Sequence, residues 1–238
     1  MHRPSGIIFD LGDTVLHLES VDVLKGNRCM LEFDDVNPGV TAEDVVAAVN
    51  EIFPWLEHAR DASMLEVAAS SFNRLIYETL GVTFCVDYEE LERVFWNGAL
   101  TYKPAEGIFE LLDILDASGI KTGILSNSIN KGIVLEDELA KHDLAERFSF
   151  VISSADYGVR KPHRSIFQVA VKKMELVPSD IWFVGDKPEY DILGALDAGL
   201  YPVWYNWRNE PISIEGEFLV VHNMRELRGK IESLDTID

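Results

Sequence analysis

Four segments far apart in the chain each carry polar residues just after a short apolar run or turn. Asp10 closes Ile7–Phe9 in GIIFDLGDTVL, and Ser126 and Asn127 follow the run in GILSNS. Lys161 stands in GVRKP, and Asp186 and Asp191 lie in WFVGDKPEYDILGALDAG. In chain order these are a carboxylate, a hydroxyl beside an amide, a lysine and an acidic pair. That set suits phosphoryl transfer assisted by a divalent metal. An aspartate can attack a phosphoryl group and form an aspartyl phosphate. Asp186 and Asp191, together with Asp10, make an oxygen-rich site suited to Mg²⁺. Such an ion neutralises phosphate oxygens and lets two anions approach. Ser126 and Asn127 offer donors to the transferring group. Lys161 can screen charge between Asp10 and the phosphoryl group. Taken singly, each residue also has a plainer reading. Asp10 caps a turn, SN is a turn dipeptide, Asp186 caps a helix, Asp191 is a surface acid and Lys161 is a solvated surface lysine.

The elements that must position these residues follow from the apolar pattern. Buried strands are expected over Gly6–Asp10, Lys121–Leu125, Phe148–Ile152, Ile181–Val184 and Tyr201–Trp204. Helices are expected between them: Glu106–Ser118 ending at Gly119, Ser165–Met174 after Pro162, and Tyr190–Ala198 ending at Gly199. Strands alternating with helices predict a parallel sheet covered on both faces, an α/β, Rossmann-like core. Ligands gather at the carboxyl ends of such strands, where all the residues above fall.

From about His17 to Tyr102 the alternation breaks into helical patterns. Thr41–Ala59 opens on the capping sequence TAED, and Asp61–Leu80, Asp87–Leu100 and Asp22–Phe33 follow the same periodicity. This predicts an inserted α-helical cap domain over 17–102, with a core domain made of 1–16 and 103–238. The acidic tail IESLDTID is expected to fray.

The 238 residues are 47% hydrophobic, enough for a substantial core, and carry a net charge of −20. Such a surface repels phosphate backbones and argues against nucleic acid as a partner. No run is long enough to span a membrane, and MHRPSGIIFD lacks the apolar stretch of a signal peptide, so no membrane partner and a cytoplasmic location are expected. Cys29 and Cys85 lack metal spacing and are expected as two buried thiols. A monomer or homodimer is the expectation.

The four segments together resemble the haloacid dehalogenase-like (HAD) hydrolase superfamily with a helical cap of the C1 type. Residues 6–16, 122–128, 158–167 and 182–199 resemble its four motifs, and VGDKPEYDILGALDAG is the most specific of them. The resemblance implies a HAD fold and a hydrolase acting on a small phosphorylated metabolite. In it Asp10 is the nucleophile, Ser126 binds phosphate and Lys161 stabilises charge. Asp10, Asp186 and Asp191 would hold Mg²⁺ together with the backbone carbonyl of Gly12. One position departs from the family's phosphatases, which carry an aspartate at Gly12 as general acid/base. Its loss should slow turnover about 10²–10⁴-fold without removing metal or phosphate binding. Asp13 stands next to it and could substitute if the loop turned it inward. A binding or regulatory protein on the HAD scaffold is the alternative that Gly12 raises. Dehalogenation by Asp10 is a lesser one, since GDK…D differs from the dehalogenase motif. A phosphonatase would need a cap lysine, and Lys25 is the one lysine within 17–102. Lys25, Arg28, Trp55, Arg74 and Trp96 are candidate substrate contacts in the cap.

Overall fold

The computed structural model describes residues 2–211 and 214–235. Along the chain run β1 (Gly6–Phe9), β2 (Leu16–Val21), α1 (Val23–Leu31), β3 (Asp34–Val36), α2 (Ala42–Ser63), α3 (Ala69–Thr79) and β4 (Thr83–Phe84). Then come α4 (Tyr88–Ala99), β5 (Leu100–Pro104), α5 (Ile108–Ala117), β6 (Lys121–Ser126), α6 (Gly132–Lys141), β7 (Val151–Ser153) and α7 (Ser154–Tyr157). The chain continues through α8 (Arg164–Met174), β8 (Ile181–Gly185), a π-helical turn at Pro188–Ile192, α9 (Leu193–Ala198), β9 (Tyr201–Tyr205), β10 (Leu219–Val221) and α10 (Met224–Asp235).

The sheet has six strands in the order β10-β9-β8-β1-β6-β7, and every pairing in it is parallel. Its strands are buried on both faces, which explains why they read as unbroken apolar runs rather than alternating ones. One face packs Leu111, Leu112 and Leu115 of α5, Leu135 and Leu139 of α6, and Leu227 and Ile231 of α10. The other packs Ile166, Phe167 and Ala170 of α8 and Ala195 of α9. β1 lies inside the sheet; from it the chain builds β6 and β7 on one side, then crosses back to β8, β9 and β10 on the other. The crevice at the carboxyl end of β1 is therefore the topological switch point of the sheet.

The helical stretch has an apolar cluster of its own, including Met30, Val45, Phe72, Ile76, Tyr77 and Leu91. The capping box at Thr41 forms as its sequence predicts: the Asp44 N–H donates to Thr41 Oγ1 and the Thr41 N–H donates to Asp44 Oδ2. α2 runs through Pro54 to Ser63, and Asp61, expected to start the next helix, lies in it. The chain turns at Met64, with φ +56°, and α3 starts only at Ala69. An antiparallel ribbon of β2 and β5 joins this stretch to the sheet. Both expected boundaries fall inside it, nearly opposite each other at His17↔Lys103. The ribbon, α6, β10 and α10 had no counterpart in the expected elements. Ile231–Asp235 is the end of α10 rather than a frayed tail, and 236–238 lie outside the described residues. Cys85 is exposed and Cys29 half-buried, so the expectation of two buried thiols does not hold. No helix among the described residues is long and apolar enough to cross a membrane.

Candidate active site

The sheet brings the four segments to one place. Asp10 follows the last residue of β1, Ser126 ends β6 and Asp186 follows β8. The register places them side by side, since Phe9 pairs with both Ile124 and Val184. The π-helical turn after β8 then carries Asp191 back over Gly185. Asp10, Gly12, Ser126, Asn127, Lys161, Asp186 and Asp191 all line one cavity of about 220 Å³.

Lys161 is not on the surface; it is 1% exposed. Its ammonium donates to Asp10 Oδ1 and to Asp191 Oδ1, each at 2.6 Å. Asn127 holds the lysine from the next segment. Its Oδ1 accepts the Lys161 N–H at 2.7 Å, and its Nδ2 donates to the Lys161 carbonyl at 3.0 Å. Asn127 was expected to donate to a phosphoryl group, whereas both polar atoms of its side chain face the lysine backbone. Asp191 gives its second oxygen to the Lys187 N–H at 2.9 Å. A Cβ on Gly185 would stand 2.3 Å from that oxygen, so glycine at this position is what lets Asp191 come in.

Arg208 is the residue that sequence reasoning missed. Its Nη1 donates to Asp186 Oδ2 at 2.7 Å and its Nη2 to Asp13 Oδ2, while the guanidinium lies 4.2 Å above the Trp207 ring. It sits in the loop after β9, the strand beside β8, so its signal was a cation past the carboxyl end of a predicted strand. Asp13 lies at φ +58°, with its other oxygen 3.8 Å from His17 Nδ1. It lines the same cavity as Asp10, where Arg208 holds one of its oxygens. From the helical stretch, Asp61 at the end of α2 meets Arg160 at 3.1 Å and the Tyr190 hydroxyl at 3.3 Å, two further residues of the cavity wall. Of the five candidate contacts in that stretch, Trp96 borders the site, in an adjoining cavity. Lys25 and Trp55 are exposed, and Arg28 and Arg74 pair with Glu43 and Glu78 on the surface.

The electrostatics show a shortage of positive charge. Carboxylate oxygens of Asp10, Asp186 and Asp191 lie within 4.8 Å of one another. Burial pushes Asp10 up to about 7, with Asp191 and Asp186 adding to the rise and Lys161 opposing it. Burial and Asp191 also raise Asp186, against Arg208 and Lys187. Burial works against the charge on Lys161, but Asp10 and Asp191 outweigh it and hold the ammonium above its ordinary range. Among the described residues, Asp10 Oδ2 and Asp186 Oδ1 accept no hydrogen bond. Carboxylate oxygens without a protein partner, in a site short of positive charge, are what a small divalent cation fits.

These features agree with what known proteins resemble. A profile of haloacid dehalogenase-like hydrolases matches residues 4–199. The pyrimidine 5'-nucleotidase YjjG of Escherichia coli strain K12 is 27% identical over 93% of this chain and 96% of its own. A glyceraldehyde 3-phosphate phosphatase of Methanocaldococcus jannaschii is 24% identical over 83% of each chain. The solved 2-haloacid dehalogenase from Pseudomonas syringae pv. Tomato DC3000 shares the fold, with a TM-score of 0.63 over 98% of this chain and 99% of its own at 20% identity. The profile spans the helical stretch and the strands β1, β6, β7 and β8, and the chain belongs to the haloacid dehalogenase-like hydrolases.

Proposed function

We propose that this hydrolase is a Mg²⁺-dependent phosphatase of a small phosphorylated metabolite, working through an aspartyl phosphate at Asp10. The observation that carries this reading is the buried set of three carboxylates with Lys161 between two of them. Asp10 and Asp186, with the Gly12 carbonyl, are the residues that would hold the ion, and Asp191 lies within reach while orienting Lys161. When bound, Mg²⁺ supplies positive charge to phosphate oxygens and keeps Asp10 ionised. Ser126, at the end of β6, faces the transferring group. Lys161 holds the Asp10 carboxylate in place and balances charge as the phosphoryl group arrives. The helical stretch covers the site as a cap and limits water. The named relatives, a nucleotidase and a phosphatase, support phosphomonoesters as the substrate class. We place the protein in the cytoplasm, as a monomer or homodimer.

The test is hydrolysis of a generic phosphomonoester with Mg²⁺ and with EDTA, beside Asp10→Asn. Loss of activity in both the variant and the chelated enzyme is expected. Undiminished activity in Asp10→Asn would sink the reading. Gly12 favours one second reading, a phosphate-binding protein with little turnover. That reading predicts binding of a phosphate analogue with Mg²⁺ and no hydrolysis across a broad panel. Halide release that survives EDTA would instead point to dehalogenation.

A further inference from the structure

Two cavities meet at Gly12, Ser126 and Asn127. The first is the charged one described above. The second, about 230 Å³, has Leu16, Leu100, Leu135, Trp96 and Tyr102 in its wall, with Ser128 and Asn130 adding polar groups to the shared Ser126 and Asn127. The two aromatic rings stack, with centroids 5.3 Å apart and planes 11° from parallel. The Trp96 indole donates to Glu138 Oε2 at 2.8 Å, which fixes the ring. An apolar cavity of about 150 Å³ takes benzene, so this one has room for a single substituted ring.

The second cavity also lacks an acid. Among the described residues, no carboxylate and no imidazole lines it. Asp13 lines only the first cavity, where Arg208 holds it. The Tyr102 phenol is pushed up to about 12 by burial, with Glu138 and Asp13 adding to the rise. It is a weaker acid than the phenols it would have to protonate. An oxygen leaving into this cavity must therefore be stable as an anion.

Resting on the phosphatase reading above, we propose that the substrates are aryl phosphate monoesters, whose ring lies against Trp96 and Tyr102 and whose aryloxide leaves unprotonated past Gly12. Asp10 attacks phosphorus, and the bond from phosphorus to the aryl oxygen breaks. The electron pair leaves on that oxygen as the aryloxide. Water then attacks the phosphorus of the aspartyl phosphate and loses its proton to solvent. The bond from phosphorus to the Asp10 oxygen breaks, which releases inorganic phosphate and restores the carboxylate. The second step also lacks a base at Gly12, so aryloxide appears as a burst ahead of slow turnover.

Three substrates separate ring from leaving group: 4-nitrophenyl phosphate, 2-phenylethyl phosphate and acetyl phosphate, each with Mg²⁺. The wild type should turn over nitrophenyl phosphate with a burst of about one nitrophenolate per active site. It should leave phenylethyl phosphate nearly untouched. Gly12→Asp should raise kcat/KM for phenylethyl phosphate about 10²–10⁴-fold. The substitution has room, since a Cβ at Gly12 meets no atom within 4 Å. Trp96→Leu, or the half-buried Tyr102→Leu should the first fail to fold, should lower the ratio of kcat/KM for nitrophenyl over acetyl phosphate about 2–10-fold. Equal use of nitrophenyl and phenylethyl phosphates, or a ratio unmoved by both variants, overturns the inference and leaves the phosphatase reading standing. No Mg²⁺-dependent turnover of either acetyl or nitrophenyl phosphate overturns both.

Discussion

Two buried charged clusters in this molecule use the same residue types for opposite ends. One lies at the carboxyl end of the sheet. The other joins the helical stretch to the core, where Arg60 Nε donates to Glu66 Oε1 at 2.6 Å and Ser154 Oγ donates to Glu66 Oε2 at 2.7 Å. Nearby, Glu92 accepts the Ser70 N–H at 2.6 Å and the Lys131 N–H at 3.2 Å on its two oxygens. Every carboxylate oxygen in this second cluster has a protein donor. In the first cluster one oxygen of Asp10 and one of Asp186 have none among the described residues, and burial raises both acids. A buried acid satisfied within the protein is structural. A buried acid left short of charge and partners is prepared for something that arrives from outside.

The strongest way to break this comparison is to remove the cation from each cluster. Lys161→Ala leaves Asp10 and Asp191 buried without their counter-charge, and Arg60→Ala does the same to Glu66. Loss of one partner from a buried pair costs about 3–5 kcal/mol. Denaturant midpoints should fall by that order in both. Mg²⁺ should recover part of the loss in Lys161→Ala, because a divalent ion replaces charge there, and none in Arg60→Ala. Equal recovery in both variants would show that the clusters do not differ.

A second prediction concerns pH. Folded, Asp10 holds its proton more tightly than it does unfolded, since its pKa rises from 3.8 to about 7. Its contribution to stability therefore falls as pH rises across that interval and is fully lost above it. Mg²⁺ competes with this proton. The rise in Tm on adding Mg²⁺ should accordingly be larger at about pH 8 than at about pH 5. At a hundredfold excess over Kd the stabilisation is about 2.7 kcal/mol. A Mg²⁺ shift equal at both pH values would separate the ion from Asp10.

The residues that make this cluster were legible because a parallel sheet collects strand ends. Asp10, Ser126 and Asp186 each close an apolar run, and the register of β1, β6 and β8 brings them together. Asp191 and Lys161 were legible by spacing within their motifs. Their mutual contact was not, because it depends on the π-helical turn at Pro188–Ile192, which no periodicity encodes. Arg208 was illegible for a related reason: it reaches the site from a loop 22 residues beyond Asp186. The second cluster left no sequence signal. Glu66 sits in an extended stretch between two helices that read as nearly continuous, and its burial arises only from how α2 ends.

The smallest expected effects come from two glycines that look alike in sequence and differ in space. Gly185→Ala puts a methyl group 2.3 Å from the Asp191 carboxylate, with backbone on one side and the Lys161 contact on the other. Overpacking of this kind costs about 1–3 kcal/mol and should move Asp191 off Lys161. Gly12→Ala adds the same methyl group where no atom lies within 4 Å, at an exposed position beside the charged cavity. Its effect on stability should stay within about 0.5 kcal/mol. Urea midpoints of the two variants, read in the same buffer without metal, check the pair. A large loss in Gly12→Ala would mean that this position is held for packing. A small one leaves glycine there without a packing role, at the junction of the charged cavity and the one that Trp96 and Tyr102 line.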